Sequence, residues 1–587
     1  MKTMPAKDVV IVGGGWTGLL MAKELGSRTP HSIVVFERGG LRKQSEYMQG
    51  MDELDYFVRL HMMQDPSKET VTVRHDASQR SLPIRQFAGF LPGSGVGGTG
   101  EHWGAQVPRF QPDCYALYSS TVSRYGKQKL PEHHSLQDWG VSYDDIEPYY
   151  TRAERALGVS GKAGNIRGRK IDGGNIFDGW HSEEYPNPPL KNPYFGSLME
   201  QAASSLGYHP YPNPTAINSQ PYTNPDGISR PGCAYCGFCE RLPCMIAAKA
   251  QPSNTFLPIV QGLSNVSLRT GATVRRIVHD GSGAGARARG VLYVDASGEQ
   301  AFQPAELVIL ASYTLSNNRL LMLSRAGEQY DPARATGTLG KNLTHQVSFT
   351  AATAFFDRPL NRFMGAGGAG RRFADFDGDV FDHTSLPFLR GGIFGAIMTG
   401  TAPIATFGVL PPSIKARWGS DWKRASLRYY DHTGLVAFSG EHLPYASNYF
   451  DLDGTYKDRQ GDPLLRMTIN WRDNERRMVE FMTARGVEVA HAMGAKEIAP
   501  NGGYRDYEVT RYQSTHIQGG TIMADSPARG VVNPFQQHWQ IPNLFVLGAS
   551  TFPNSGSANP TPTILAFAYR TADVLVDRYL KRPAALA

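Results

Sequence analysis

Residues 233–244 read CAYCGFCERLPC and hold four of the five cysteines in the chain. Thiols this crowded support three chemistries. A disulfide pair suits an oxidising compartment, but closing such small loops gains little. Four thiolates suit a structural zinc, although zinc sites usually draw two pairs from separated turns. The third is an iron–sulfur cluster. The spacing C-x2-C-x2-C-x4-C is near the ferredoxin-like C-x2-C-x2-C-x3-C-P run. It differs in the last gap, and its proline precedes Cys244. A three-iron cluster needs only three of Cys233, Cys236, Cys239 and Cys244, a four-iron cluster all of them. Cys114 stands apart and is expected to be an ordinary packed thiol.

The elements that could serve such chemistry begin at the N-terminus. Residues 8–37 run from an apolar strand, Val9 to Val12, into Gly13-x-Gly15-x-x-Gly18. A helical pattern with Leu19, Leu20, Ala22 and Leu25 follows, and a second strand, IVVF, ends at Glu37. This is the context a dinucleotide fingerprint requires. Gly13 serves the tight turn, Gly15 lets a pyrophosphate approach the helix N-terminus, and Gly18 lets helix and strand pack closely. Glu37 can accept from ribose hydroxyls, which disfavours NADP and leaves FAD and NAD open. A second glycine loop, GSGVGGTGEHWGAQVPRF (93–110), includes Gly97, Gly98, His102 and Trp103. Backbone without side chains can pack on a flat, extended ligand. Its position, far beyond the first βαβ unit, points to FAD rather than NAD.

The chain has 587 residues, so two or more domains are expected. Its net charge of +7 is spread without a basic run, which gives nucleic-acid binding little support. No apolar stretch approaches a membrane helix, and MKTMPAKD leads straight into a strand. The chain is therefore expected neither to span a membrane nor to carry its own export signal.

Five blocks occur in the order typical of one family: the fingerprint, the second glycine loop, DWGVSYDDIEPYYTRAERALGVSG (138–161), LVILASYTLSNNRLLMLS (307–324) and residues 514–570. Together they resemble the glucose–methanol–choline (GMC) oxidoreductases over nearly the whole chain. Within the family the likeness is greatest to flavoprotein subunits of bacterial membrane-bound sugar and sugar-acid dehydrogenases, the gluconate-oxidising ones above all. The active-site motifs also resemble pyranose oxidases, in which a Thr-His-Trp histidine is bonded to the flavin. Here the tripeptide is Glu101-His102-Trp103. The resemblance implies FAD held covalently through His102, with a glutamate standing where the pyranose oxidases have threonine.

The resemblance also implies the catalytic pair. His516 lies in His-x-x-Gly-Gly, and Asn559 lies in Ala-Asn-Pro-Thr. An alcohol oxidation needs a base for the hydroxyl proton, and histidine suits that role. His516 is the expected base and Asn559 the expected anchor of the substrate oxygen. Gly548 and Ala549 have little bulk and suit close approach to FAD, before a helix whose N-terminus near Pro562 faces the flavin.

The expected fold is α/β: a Rossmann-like FAD-binding domain (1–45, 86–160, 231–345 and 501–587) and an α+β substrate domain (46–85, 161–230 and 346–500) built on an antiparallel sheet. The strands VSFTAATAFF, GLVAFSGEHL and PLLRMTINW and a helix from Asp473 to Met493 belong to that second part. Residues 45–85 and 160–230 read as loop-rich. Tyr445, Tyr449 and Phe450 are expected to pack in the core. The resemblance further implies electron transfer through an iron–sulfur cluster to a membrane-bound multihaem cytochrome c. It implies a small subunit with a twin-arginine signal that carries this chain to the periplasm. The alternative is an oxygen-using oxidase of the pyranose oxidase kind.

Overall fold

The computed structural model describes residues 1–48, 62–67, 69–85, 92–239, 242–281, 285–362, 365–398, 407–500, 506–509 and 514–586. Parts of the expected segments 46–85 and 346–500, and Glu240 and Arg241 of the cysteine run, lie outside the described residues.

The apolar strand Lys7–Val12 sits inside a mixed sheet, with Ile33–Phe36 parallel on one side and Gln300–Leu310 parallel on the other. Val266–Arg269 extends the sheet beyond Ile33–Phe36, and Leu544–Val546 joins the end of Gln300–Leu310. The early part of that long strand instead pairs with the antiparallel hairpin Thr273–His279 and Ala288–Val294. One strand thus ties the nucleotide-type layer to the meander. The helices Trp16–Arg28, Thr561–Val574 and Tyr143–Leu157 pack together beside the sheet. The first of these is buried along nearly its whole length. The α/β expectation is met.

Two further six-stranded sheets complete the molecule. In one, Ile517–Gly520, Lys341–His345, Tyr449–Lys457 and Pro463–Thr468 lie side by side, and Thr72–Arg74 and Leu82–Pro83 extend it. The other is wholly antiparallel and runs Glu497–Pro500, Val347–Phe355, Thr433–Gly440, Gly392–Met398, Ala369–Phe373 and Tyr211–Pro212. Strand alternation gives it two different faces. Phe373, Phe394 and Phe438 contact one another on one face. The helix Asp473–Ala492 packs there, where a Cβ at Gly486 would stand 2.4 Å from the Ala351 Cβ. Only glycine lets helix and sheet approach so closely. The other face carries small and polar side chains.

The stretch 160–230, read as loop-rich, also holds the helix Tyr194–Ser205, whose Phe195, Leu198 and Met199 are buried. Tyr445, Tyr449 and Phe450 are buried as expected, and the Tyr445 hydroxyl donates to Glu475. Cys114 is buried beside Arg390, and burial pushes its thiol pKa well up.

Candidate functional site

A cavity of about 960 Å³ runs from the first glycine turn to His516 and Asn559. That is the upper end of the usual range for ligand clefts. The three fingerprint glycines divide their work. A Cβ at Gly13 (φ +110°) would meet the Ala311 carbonyl at 2.7 Å, and one at Gly18 would meet the Gly13 carbonyl at 1.8 Å. These two positions are closed by protein backbone. A Cβ at Gly15 would have nothing nearer than 3.9 Å, so the space over it belongs to a ligand. Gly15 is the N-cap of the helix Trp16–Arg28, with no capping side chain and no acid in the first turn. The free N–H groups there suit a pyrophosphate. Glu37 lines the same end, and its two oxygens accept from Gly14 N–H at 3.0 Å and Gly39 N–H at 2.8 Å.

The second glycine loop forms the next part of the wall. Gly97 and Gly98 both have positive φ, and Gly98 would place a Cβ no nearer than 3.9 Å to other atoms. His102 is buried and lines the cavity beside Trp103. Glu101 is the anchor of this loop. Its buried carboxylate accepts from Tyr47, Gln251 and both the N–H and hydroxyl of Ser253, at 2.7–3.0 Å. The residue that departs from the Thr-His-Trp pattern therefore holds the histidine's loop in place.

At the far end, the cavity meets His516. Its Nδ1 lies 2.5 Å from Gln346 Oε1, and the Asn559 amide donates to its Nε2 at 3.4 Å. The tautomer follows from Gln346. Its amide nitrogen donates to the carbonyls of Gly556 (3.2 Å), Ser557 and Ala558 (2.9 Å), which can only accept. Gln346 must therefore present oxygen to His516, so Nδ1 carries the proton and Nε2 the lone pair. The half-buried ring opens on the cavity rather than on the outside. Removal from water, then the charges of His345 and Arg372, push its pKa down to about 3. It is neutral through the physiological range. Gly548 (φ +94°) and Ala549 line the same region, and so do Thr561 and Ile564 in the first turn of the uncapped helix Thr561–Val574. The positive end of that helix faces the cavity. Sequence motifs identified His516 and Asn559. They carried no sign of Gln346, which lies between two strands and 170 residues from its partner.

The structure places the four cysteines of the run on one loop. All five thiols are free, and no three His, Cys, Asp or Glu among the described residues gather as a metal site. The backbone of Tyr235 and Gly237 bonds to Gly365, and this bridge leaves Cys236 exposed. Cys239 and Cys244 are buried, and Cys233 is half-buried. Burial pushes the Cys233 thiol up to about 11 and Cys239 up to about 12. Cys233 lies near enough to Cys236, Cys239 and Cys244, and Cys239 near enough to Cys244, for their charges to interact. The run does touch the flavin-side loop. Lys249, fully buried, donates to the carbonyls of Cys239 (2.8 Å), Leu242 (2.7 Å) and Trp103 (2.8 Å).

Comparison with known proteins agrees with this geometry. The GMC oxidoreductase family profiles match residues 225–348 and 444–568. The chain is 41% identical to the gluconate 2-dehydrogenase flavoprotein of Pantoea cypripedii, over 99% of this chain and 95% of that one. It is 25% identical to the fructose dehydrogenase large subunit of Gluconobacter japonicus, over 97% and 98% of the two chains. Among solved structures, pyridoxine 4-oxidase from Mesorbium loti matches with a TM-score of 0.61 at 16% identity, covering 98% of this chain and all of that one. That last likeness is one of fold alone.

Proposed function

Since the chain belongs to the GMC family, FAD-dependent oxidoreductases of CH–OH donors, we propose that it oxidises a secondary alcohol of a sugar acid of the gluconate kind. The observation that carries this reading is the His516 tautomer. Nε2 presents a lone pair to the cavity, with the Asn559 amide beside it. His516 takes the hydroxyl proton as the C–H bond breaks. Asn559 donates to the substrate oxygen while it carries negative charge. FAD, which fits the glycine cradle and Glu37, supplies the two-electron acceptor when bound. The antiparallel sheet forms one wall of the cavity. The His516→Ala variant is expected to keep its flavin and lose about 10²- to 10⁴-fold in kcat. Near-normal turnover in that variant would remove His516 from the base role.

Four finer readings belong to the same proposal. His102 as the covalent flavin attachment is supported by its burial at the cavity wall. Acid-denatured protein should then retain flavin fluorescence on the chain, and His102→Ala should lose it. An iron–sulfur group at the cysteine run is supported only by spacing and by contact with the Trp103 loop. Stoichiometric iron and acid-labile sulfide in purified protein are expected, and zinc or no metal would remove the cluster. Delivery of electrons to a cytochrome c subunit, and export to the periplasmic face with a small twin-arginine partner, are supported by the likeness to subunits of multi-subunit dehydrogenases. Co-purification and cell fractionation test both. Dye reduction without hydrogen peroxide is the expected turnover behaviour; stoichiometric peroxide would favour the oxidase alternative.

A further inference from the structure

Arg372 sits on the strand Ala369–Phe373, opposite Gly395 on one side and Tyr211 on the other. Register continues from Gly395 to Ala437 and from Ala437 to Thr350. One row across four strands therefore reads Arg, Gly, Ala, Thr, and all four line the cavity. Glycine and alanine beside the guanidinium leave room for a ligand, and the alternate residue Phe373 packs on the opposite face. Sequence offers no sign of this, since Arg371 next to it turns away and pairs with Glu200 at 3.0 Å.

The surroundings of Arg372 are incomplete. It is only 4% exposed. One nitrogen, Nη2, donates to Gln106 Oε1, and Gln106 also lines the cavity. Nε and Nη1 are buried without a hydrogen-bond partner, and no ion pair forms among the described residues. Asp377 is close enough to act electrostatically but makes no ion pair with it; its Oδ2 accepts from Gln111 at 3.1 Å and its Oδ1 is buried without a partner. A buried cation that lacks an anion is costly, and the cavity is the direction from which an anion can arrive. Arg372 is also near enough to His516 to disfavour its imidazolium.

Resting on the reading of His516 as the alcohol's base, we propose that Arg372 selects a substrate that carries a carboxylate. The guanidinium on the cavity wall receives the carboxylate while the alcohol carbon lies at His516. The substrate class is thereby narrowed to hydroxy acids, with neutral sugars held only by the uncharged part of the wall. The carboxylate replaces the missing counter-charge, so binding and desolvation favour the same ligand.

The test uses the flavin-loaded protein with gluconate and its neutral amide, gluconamide. Wild type should prefer gluconate, and Arg372→Gln should lower the gluconate-to-gluconamide ratio of kcat/KM by at least about 30-fold. Arg372→Lys should restore part of that ratio. As a readout apart from turnover, adipate, which has carboxylates and no hydroxyl, should perturb the visible spectrum of the bound flavin in wild type and not in Arg372→Gln. Equal losses on both substrates would overturn the proposal, because Arg372 would then be acting on the flavin or on the fold. Wild type that oxidises neutral polyols as well as gluconate would overturn it while leaving the base role intact. Failure of every polyol and hydroxy acid to bleach the flavin would overturn both.

Discussion

Four arginines are buried among the described residues, and two of them contrast: Arg390 at 1% and Arg372 at 4% exposure. Arg390 donates to Glu441 through Nε and Nη2, at 2.9 and 2.8 Å, and to Asp113 through Nη1 and Nη2, at 2.6 and 3.0 Å. Arg109 is of the same kind, held by Glu154 and Glu147. Arg372 has one amide oxygen. A guanidinium enclosed by carboxylates is a closed structural unit, since its charge and its hydrogen bonds are answered by the fold. One that is enclosed but unanswered, on the wall of a cavity, is answered by something the fold does not contain. Burial alone did not separate these roles; the number of N–H groups already bonded did.

The widest gap between the two should appear in stability. Arg390→Met leaves the buried Glu441 and the half-buried Asp113 without a counter-ion, and a loss of about 3–5 kcal/mol is expected from denaturant midpoints. A loss below about 1 kcal/mol would place Arg390 in the same class as Arg372. Arg372→Met removes a partly unsatisfied cation and should raise apparent stability by about 1 kcal/mol in the absence of substrate. A destabilisation like that of Arg390→Met would erase the contrast. The smallest effect concerns pH. A base must be unprotonated to act, and the lowered His516 pKa of about 3 moves the acid limb of kcat/KM downward. Between pH 5 and 7, where a sugar acid stays ionised, kcat/KM for gluconate should therefore show no titration from this histidine. An acid limb centred near the ordinary histidine value of about 6.5 would mean that the ring is not enclosed as described.

The difference between legible and illegible parts of the site follows chain distance. Gly13, Gly15, Gly18 and Glu37 sit on one βαβ unit, and local spacing was enough to read their roles. His516 and Asn559 were legible because each lies in a short motif with turn-forming neighbours. Gln346 was not, although it fixes the tautomer of His516. Glu101 read as a mismatch, and its purpose emerged only where Tyr47, Gln251 and Ser253 meet it. The cysteine run shows the converse. Four thiols in twelve residues read as a ligand set, but spacing carried no sign that pairing of Tyr235 and Gly237 with Gly365 leaves Cys236 exposed while Cys239 and Cys244 are buried.

By itself, the order of residues determined the glycine turn, the buried strands and the motifs that hold His516 and Asn559, because these depend on backbone conformation over a few neighbouring positions. Only the tertiary structure decided which arginine is paired and which is not. Arg371 and Arg372 are adjacent and chemically identical, and strand alternation sends one to Glu200 and the other to the cavity. That outcome depends on register across four strands brought together from residues 347–440. Register is a property of cross-strand packing, which no local spacing records.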